Sequence, residues 1–133
     1  MAKFVEKIKT FFNTKIRKST HKRENIESGM QVVGDLLVEN EQVLASFASL
    51  RDKLVFTNGR IISVNVQGIT GMKRDFTSIP YSRIQMYSVE TAGTMDFDSE
   101  LTIWVSGMGE FKFEFSGSSD IVGLSKLISR YIL

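Results

Sequence analysis

The chain has 133 residues, of which 42% are hydrophobic and 24% charged, and its net charge is +2. This length suits one domain with a buried core, and the composition is typical of a chain that folds. The sequence contains no cysteine, which excludes disulfides, thiolate metal sites and a cysteine nucleophile. No apolar run reaches the length of about 18 residues that a membrane span needs. The short apolar clusters near the N-terminus also lack the continuity of a signal peptide, so we expect a cytoplasmic protein.

The charge is distributed unevenly along the chain. Residues 1–23 carry eight lysines and arginines against one glutamate, a net charge of +7, while the remaining residues carry nine basic and fourteen acidic side chains. A basic arm is therefore attached to a mildly acidic body. Such an arm is attracted by phosphates, by anionic lipids or by an acidic face of a neighbouring subunit.

Apolar residues in this arm recur at three- and four-residue spacing, which predicts an amphipathic helix about 24 Å long over residues 3–18. Interfacial helices combine aromatic, aliphatic and basic side chains in this way, which makes an anionic membrane surface one candidate partner. Packing on the body or on another subunit is the alternative, and the more common fate of an amphipathic helix. The apolar stripe and the acidic body argue against nucleic acid. The candidate membrane-contacting residues are Lys3, Phe4, Lys7, Ile8, Phe11, Phe12, Lys15, Arg17 and Lys18.

The segment that follows the arm is polar. Residues 19–25 are predicted to form a linker, so that the arm covers residues 1–23 and the domain covers residues 24–133. A second helix is predicted over residues 26–38, although Gly29 and Gly34 lower its helix propensity.

From residue 41 onward the apolar period changes from helical to alternating, which predicts β-strands. The clearest signal is Asn58-Gly59 between two β-branched runs, typical of a two-residue hairpin turn in which both residues take positive φ. A further turn is predicted over residues 67–71 and a loop over residues 91–99. The seven predicted strands cover residues 43–49, 54–57, 60–64, 74–79, 84–90, 101–106 and 111–115.

The last predicted strand has a clear inner and outer face. Phe111, Phe113 and Phe115 point one way, whereas Lys112 and Glu114 point the other way, as in a half-buried antiparallel strand. A C-terminal helix follows, with capping residues at 118–120 and an apolar stripe. Seven short strands and one amphipathic helix together predict a barrel that the helix closes at one end.

Seven short motifs occur in this order along the chain: LVENE at 37–41, RD at 51–52, VFTNGR at 55–60, QGITG at 67–71, SIPY at 78–81, SVETAG at 88–93 and EL at 100–101. In sequence and order they resemble motifs of the bacterial pleckstrin homology (PH) domain family. The resemblance covers residues 24–133 and implies a mainly β fold: a PH-like seven-stranded barrel of two near-orthogonal antiparallel sheets, capped by a C-terminal α-helix. It also implies cyclic homo-oligomers, or rings, and a biochemical role that is largely unassigned.

The sequence offers few groups for catalysis. Its one histidine, His21, lies in the predicted linker without an orienting carboxylate, so we interpret it as a solvated residue. Asp96, Asp98 and Glu100 alternate as cation ligands on one face would, but the remainder of a calcium-loop motif is missing and a solvated acidic turn is preferred. We therefore predict no enzyme, no cofactor and no metal site.

Eukaryotic relatives of this fold bind phosphoinositide head groups through a basic cluster around the first hairpin. The corresponding turn here offers only Arg51 and Lys53, with Asp52 between them, while Lys73 and Arg74 lie in a later turn. This departs from the basic signature, and a shared fold does not transfer function, so specific head-group recognition is not predicted.

Self-assembly has the broadest support, because an open barrel presents strand edges that pair with other chains. We expect contacts along the strands around residues 61–66 and 83–89, with two tyrosines as anchors. Ordinary barrel core is an equally good interpretation of those tyrosines. The predicted interface residues are Ile61, Val64, Tyr81, Arg83 and Tyr87.

The sequence therefore predicts a non-enzymatic interaction or scaffold domain that forms homo-oligomers and binds protein partners. The alternative is a peripheral membrane protein, held at anionic lipid on the inner face of the membrane by residues 3–18.

Overall fold

The computed structural model describes residues 20–95, 97–117 and 119–133. The predicted arm helix over residues 3–18 lies outside the described residues. Short 3-10 helices cover Gly34–Leu36 and Tyr81–Arg83. The other elements, in chain order, are β1 (Thr20–Glu24), α1 (Ile26–Val33), β2 (Val43–Ala48), β3 (Lys53–Thr57), β4 (Arg60–Gln67), β5 (Lys73–Pro80), β6 (Ile84–Glu90), β7 (Ser99–Val105), β8 (Gly109–Phe115) and α2 (Ile121–Ile132).

The described strands form one continuous sheet in the order β5-β4-β3-β2-β1-β8-β7-β6. Strands β2 to β5 are an antiparallel meander, and β6 to β8 are a second one. Strand β1 joins the two meanders, antiparallel to β2 and parallel to β8. The fold is thus mainly β with a C-terminal helix, as predicted, but the described residues contain eight strands rather than seven.

The additional strand is β1, so the linker predicted over residues 19–25 is wrong for Thr20–Glu24. Lys22 is opposite Ala48 in β2, and His21 is opposite Phe115 in β8. Glu24 fixes the end of β1, because its carboxylate accepts a hydrogen bond from Ser46 Oγ at 2.7 Å and pairs with Lys53 Nζ at 2.6 Å. The described sheet therefore includes residues of the predicted arm, which covers residues 1–23.

The main core lies inside the barrel and is rich in phenylalanine. Phe47 packs edge-on against Phe56 and Phe115, with ring centroids 5.7 and 4.9 Å apart. As predicted, the three phenylalanines of β8 are buried, and Lys112 and Glu114 are exposed. The C-terminal helix closes the core with Ile121, Leu124 and Ile128.

A second apolar cluster lies on the outer face of the first meander, beneath α1. It contains Val33, Val43, Val55, Ile62 and Val64. Because α1 covers this face and the core covers the other, β3 and β4 are buried on both sides, which their nearly continuous burial reflects.

Helix α1 ends at Val33 and not at residue 38, and a 3-10 turn continues it to Leu36. Gly29 lies directly on β2: a Cβ added to it would be 2.6 Å from Ser46 Oγ. The glycine that lowers the helix propensity is therefore the residue that lets α1 approach the sheet.

The predicted β3–β4 hairpin is confirmed, but its turn is not of the predicted type. Neither Asn58 nor Gly59 has positive φ. Instead, Thr57 Oγ1 accepts hydrogen bonds from the N–H groups of Gly59 and Arg60, both at 3.0 Å. The Asn58 side chain accepts from Gln42 N and so ties the turn to the start of β2. These side-chain contacts replace the positive-φ turn.

No helix among the described residues combines the length and the hydrophobicity needed to cross a bilayer.

Candidate functional site

A polar network centred on Glu41 lies at the β3–β4 turn. Its carboxylate accepts hydrogen bonds from Arg60 Nε at 2.8 Å, from Arg60 Nη2 at 2.9 Å and from Thr57 Oγ1 at 2.7 Å. The side chain is only 6% exposed. Burial raises the pKa of Glu41, but the hydrogen bonds from Arg60, Thr57 and the Val38 N–H outweigh it, so this pKa lies below the ordinary value of 4.5.

Tyr81 belongs to the same network and is part of the core. It is 2% exposed, its hydroxyl donates to Thr57 O at 2.7 Å, and its ring stacks on Tyr131 at 5.8 Å. Burial, followed by the proximity of Tyr131 and Glu41, raises the pKa of the Tyr81 phenol. Tyr81 is therefore not an exposed anchor for a partner, and the core interpretation is the correct one.

A groove of about 520 Å³ lies beside this network, lined by residues 38–41 and 58–60 and by Pro80. Glu41, Arg60 and Asn58 are all engaged with other protein groups there. The polar side chains that line the groove are therefore fixed by contacts within the protein, and these contacts hold the turn in place.

His21 is not the solvated linker residue that the sequence suggested. It is 5% exposed, its ring centroid is 6.2 Å from that of Phe115, and its Nδ1 is 3.4 Å from Glu114 O. The histidine thus forms part of the junction between β1 and β8.

The acidic segment can be located only in part, because Asp96 lies outside the described residues. Asp98 is exposed, and Glu100 lies on β7 with its carboxylate 3.4 Å from the Thr102 hydroxyl. Within the part of the chain that the structure describes, no three His, Asp or Glu side chains are grouped as metal ligands.

Two of the predicted interface residues, Ile61 and Val64, are 0% exposed. Ile61 faces the barrel core, and Val64 faces the cluster beneath α1. They are not available to a partner, because β4 lies between β3 and β5 and is covered on both faces. The prediction that they form an exposed contact is wrong.

The other predicted interface residues lie on or beside β6, an end strand of the described sheet. Arg83 is exposed, whereas Tyr87 is half-buried and its hydroxyl contacts Ser129 Oγ of α2. A bulge lies between Ile84 and Met86 in the pairing of β6 with β7. Regular alternation would bury the side chain of Met86 on the same face as Ile84, but Met86 is 54% exposed because of this bulge. Sequence periodicity alone therefore does not predict the exposure of Met86.

The two end strands of the sheet differ in character. Strand β5 begins with Lys73, Arg74 and Asp75 and ends at Pro80, and charges and proline both discourage edge pairing. Strand β6 has no charged residue from 85 to 89. Of the two end strands in the described sheet, β6 is therefore the one with fewer charged residues to oppose pairing with another chain.

A second groove, of about 250 Å³, separates β2 from the C-terminal helix. Its lining includes the apolar Leu44 and Leu127 and the basic Lys126 and Arg130. This combination suits an apolar side chain with a neighbouring negative charge.

The comparisons with known proteins agree on one family. A model of the bacterial PH domain matches residues 10–132, a region that begins within the segment predicted as the arm. The uncharacterized protein YjqA of Bacillus subtilis (strain 168) is 46% identical over 96 residues, which cover 71% of this chain and 77% of YjqA.

Two solved structures share this fold. One is a DUF1696 family protein with a pleckstrin-homology domain from Shewanella loihica PV-4, with a TM-score of 0.76 and 37% identity, covering 86% of this chain and 99% of that one. The other is a pleckstrin homology domain from Shewanella amazonensis SB2B, with a TM-score of 0.65 and 35% identity, covering 92% of this chain and 98% of that one. The chain belongs to the bacterial PH domain family.

Proposed function

We propose that the protein is a non-enzymatic assembly module, whose copies pair along β6 to form homo-oligomers that present a surface to protein partners. The observation that carries this proposal is the edge of β6, which has no charged side chain from residue 85 to residue 89. Seven residues long, it offers a row of backbone donors and acceptors, and Gln85, Met86 and Ser88 are exposed along it.

The symmetry of the assembly depends on which strand β6 meets. Two β6 strands that pair with each other form a two-fold dimer. A β6 strand that contacts a different surface of the next copy forms a head-to-tail contact, which gives a ring where the rotation between successive copies closes. The ring agrees with what the family resemblance implied, and the groove between β2 and α2 then remains available to protein partners.

The test is the mass of the full chain by native mass spectrometry and light scattering over a range of concentrations. We expect a defined multiple of the chain mass, which falls to that of one chain in the double variant Met86→Lys and Ser88→Lys, because lysines on an edge strand oppose pairing. Val122→Lys, on the exposed face of α2, is the control and keeps the wild-type mass. A monomeric wild-type chain at all concentrations contradicts the proposal.

A second candidate function is membrane anchoring by the arm, favoured by the net charge of +7 over residues 1–23. Each basic residue near an anionic surface contributes about 1 kcal/mol. The full chain should then float with anionic vesicles at low salt and be released at high salt. The variant Phe4→Ser, Phe11→Ser and Phe12→Ser should no longer float, whereas flotation equal to that of the wild type argues against the anchor.

A further inference from the structure

The groove between β2 and the C-terminal helix is bounded on the strand side by a bulge. The register of β2 with β3 shifts between Val43 and Ala45, so that Leu44 is an extra residue. Val43 belongs to the cluster beneath α1 and Ala45 to the main core, whereas Leu44 belongs to neither cluster and lines the groove half-buried. Bulges redirect side chains in this way. The groove therefore has an apolar residue that is not part of either core cluster and can contact another molecule.

One face of α2 forms the other side of the groove. Its lining residues occupy positions 123, 126, 127, 130 and 131, which is the spacing of a single helix face. Gly123 has no side chain to fill the groove, and Leu127 is half-buried where it packs against the core. Leu44 and Leu127 thus give the groove two apolar residues, one from each side.

Two basic side chains line the groove without an acidic partner in the described part of the chain. Lys126 and Arg130 are both exposed, and neither forms a hydrogen bond or an ion pair with another described residue. Helix α2 has no acidic residue, and like charges four residues apart destabilise a helix slightly. The helix dipole favours Arg130 in the last turn but not Lys126 one turn earlier. The two cations are therefore available to the carboxylates of another molecule.

The size and shape of the groove indicate the class of molecule that it binds. Its volume of about 250 Å³ is below the range of about 300–1,000 Å³ for small-molecule pockets. Its apolar residues are recessed, so they cannot insert into a bilayer but can receive a protruding side chain. Nucleic acid is disfavoured, because two cations stand on a domain with nine basic and fourteen acidic residues over positions 24–133. A peptide segment with one apolar side chain and nearby carboxylates matches the groove in size and in charge.

The spacing of the two cations also fits such a segment. Side chains four residues apart on a helix are separated by about 5–6 Å at Cβ. On an extended peptide, every second side chain lies on the same face, and the distance between them is about 7 Å. Two carboxylates two residues apart can therefore contact Lys126 and Arg130 together. Acidic motifs are commonly recognised by basic clusters in this manner.

We propose that the groove between β2 and α2 binds an acidic, extended segment of a partner protein. One apolar side chain of that segment enters between Leu44 and Leu127, and carboxylates at alternate positions beside it pair with Lys126 and Arg130. The groove thereby supplies the protein-binding surface of the proposed assembly module, and its role rests on that proposal.

The experiment is fluorescence anisotropy of a labelled peptide, Asp-Ser-Asp-Ser-Phe-Ser-Asp-Ser-Asp, titrated with the full chain. This peptide places carboxylates at alternate positions on both sides of the apolar residue, so it fits in either chain direction. We expect saturable binding that is at least about tenfold weaker in the variant Lys126→Glu and Arg130→Glu, because two attractions become repulsions. Leu44→Ser should also weaken binding, and a peptide with lysine in place of each aspartate should not bind.

The matched control is the variant Arg74→Glu and Lys112→Glu. Both residues are exposed on other strands, so this variant makes the same change in net charge away from the groove. It should bind the acidic peptide like the wild type. A loss of binding equal to that of the Lys126→Glu and Arg130→Glu variant would mean that net charge alone attracts the peptide, which overturns the proposal.

A second readout locates the peptide directly. Backbone amide signals of the labelled full chain are followed by NMR during the same titration. We expect the largest shifts at Leu44 and over residues 123–131. Shifts centred on another surface, such as the groove beside Glu41, overturn the proposal.

The remaining outcomes separate this proposal from the assembly along β6. No saturable binding up to about 1 mM overturns it, even where the chain is an oligomer, and leaves the assembly unaffected. A monomeric wild-type chain that binds the peptide in the groove contradicts the assembly and supports the groove. A Lys126→Glu and Arg130→Glu variant with a lower oligomer mass shows that the groove holds another copy, and overturns the proposal. Loss of peptide binding at unchanged mass supports it.

Discussion

Arg60 and Glu41 connect more of the molecule than any sequence motif suggests. The Arg60 guanidinium contacts both Glu41 oxygens, the Leu36 carbonyl oxygen at 2.9 Å and Ser78 Oγ at 3.1 Å. One side chain thereby joins the end of the 3-10 turn, the segment before β2 and strand β5. A charged pair held by this many hydrogen bonds is costly to break, because the remaining charge is left without its partner.

We expect Glu41→Gln to lower the free energy of unfolding at pH 7 by about 2 kcal/mol, the range for a lost charged hydrogen bond in a protected site. The folded-state pKa of Glu41 is depressed, so its contribution is present above the unfolded value of 4.5 and is lost as pH falls through the folded-state pKa. The difference in the free energy of unfolding between the wild type and the variant should therefore become smaller below pH 4.5. Urea unfolding at several pH values measures it.

Glu110→Gln, an exposed carboxylate on β8, serves as the matched control and should change stability little at any pH. A stability difference between Glu41→Gln and the wild type that stays constant from pH 7 to pH 3 contradicts the assigned role of the Glu41 carboxylate.

The sequence predicts residue burial well where alternation is regular. The phenylalanines of β8 illustrate this, since their positions follow from period two alone. The limit of this prediction is shown by Ile61, Val64 and Tyr81. Alternation assigns each of them to a face of a strand or turn, but it does not show which faces other elements cover, and both faces of β4 are covered. His21 is a second limit, because its burial depends on β8, which lies far along the chain.

Among the elements, α1 depends on one small residue for its position. Gly29→Ala brings a methyl group to 2.6 Å from Ser46 Oγ and 2.8 Å from Ser46 Cβ. Ser46 is fully buried, and its short side chain has little room to move. We expect this substitution to lower stability by about 1–3 kcal/mol, the usual cost of overpacking, despite the better helix propensity of alanine. Thermal or urea unfolding measures the change.

Gly34→Ala is the matched comparison in the same region. Its added Cβ has only Met30 Cε near it, at 4.0 Å, and its backbone is already in the right-handed helical region. This substitution should be neutral or raise stability by up to about 1 kcal/mol. Equal effects of the two substitutions would mean that the contact with Ser46 does not fix the helix.

Element boundaries show why sequence reasoning succeeds for some strands and fails for others. Strand β6, Ile84–Glu90, has the predicted bounds, because its apolar residues lie between clear turn signals. Strand β1 was missed because only one of its five residues is buried, so that its sequence is that of a polar linker. The bulge that exposes Met86 also leaves no signal in the periodicity.

For the whole molecule, β1 is the only strand of the described sheet that pairs with both meanders. A chain that starts at Asn25 should therefore lose at least about 3 kcal/mol and melt at least about 10 °C lower than a chain that starts at Ser19 and keeps β1. Calorimetry or circular dichroism measures the two melting temperatures. If both chains melt at the same temperature, β1 does not hold the barrel together.

The parallel pair of β1 and β8 also sets an order of events during synthesis. Thr20 and Glu114, which face each other in that pair, are 94 residues apart. At translation rates of about 5–20 residues per second, roughly 5 to 20 s pass between the emergence of the two strands. A nascent chain must therefore carry an unclosed barrel, with the β8-facing side of β1 unpaired, until β8 has left the ribosome.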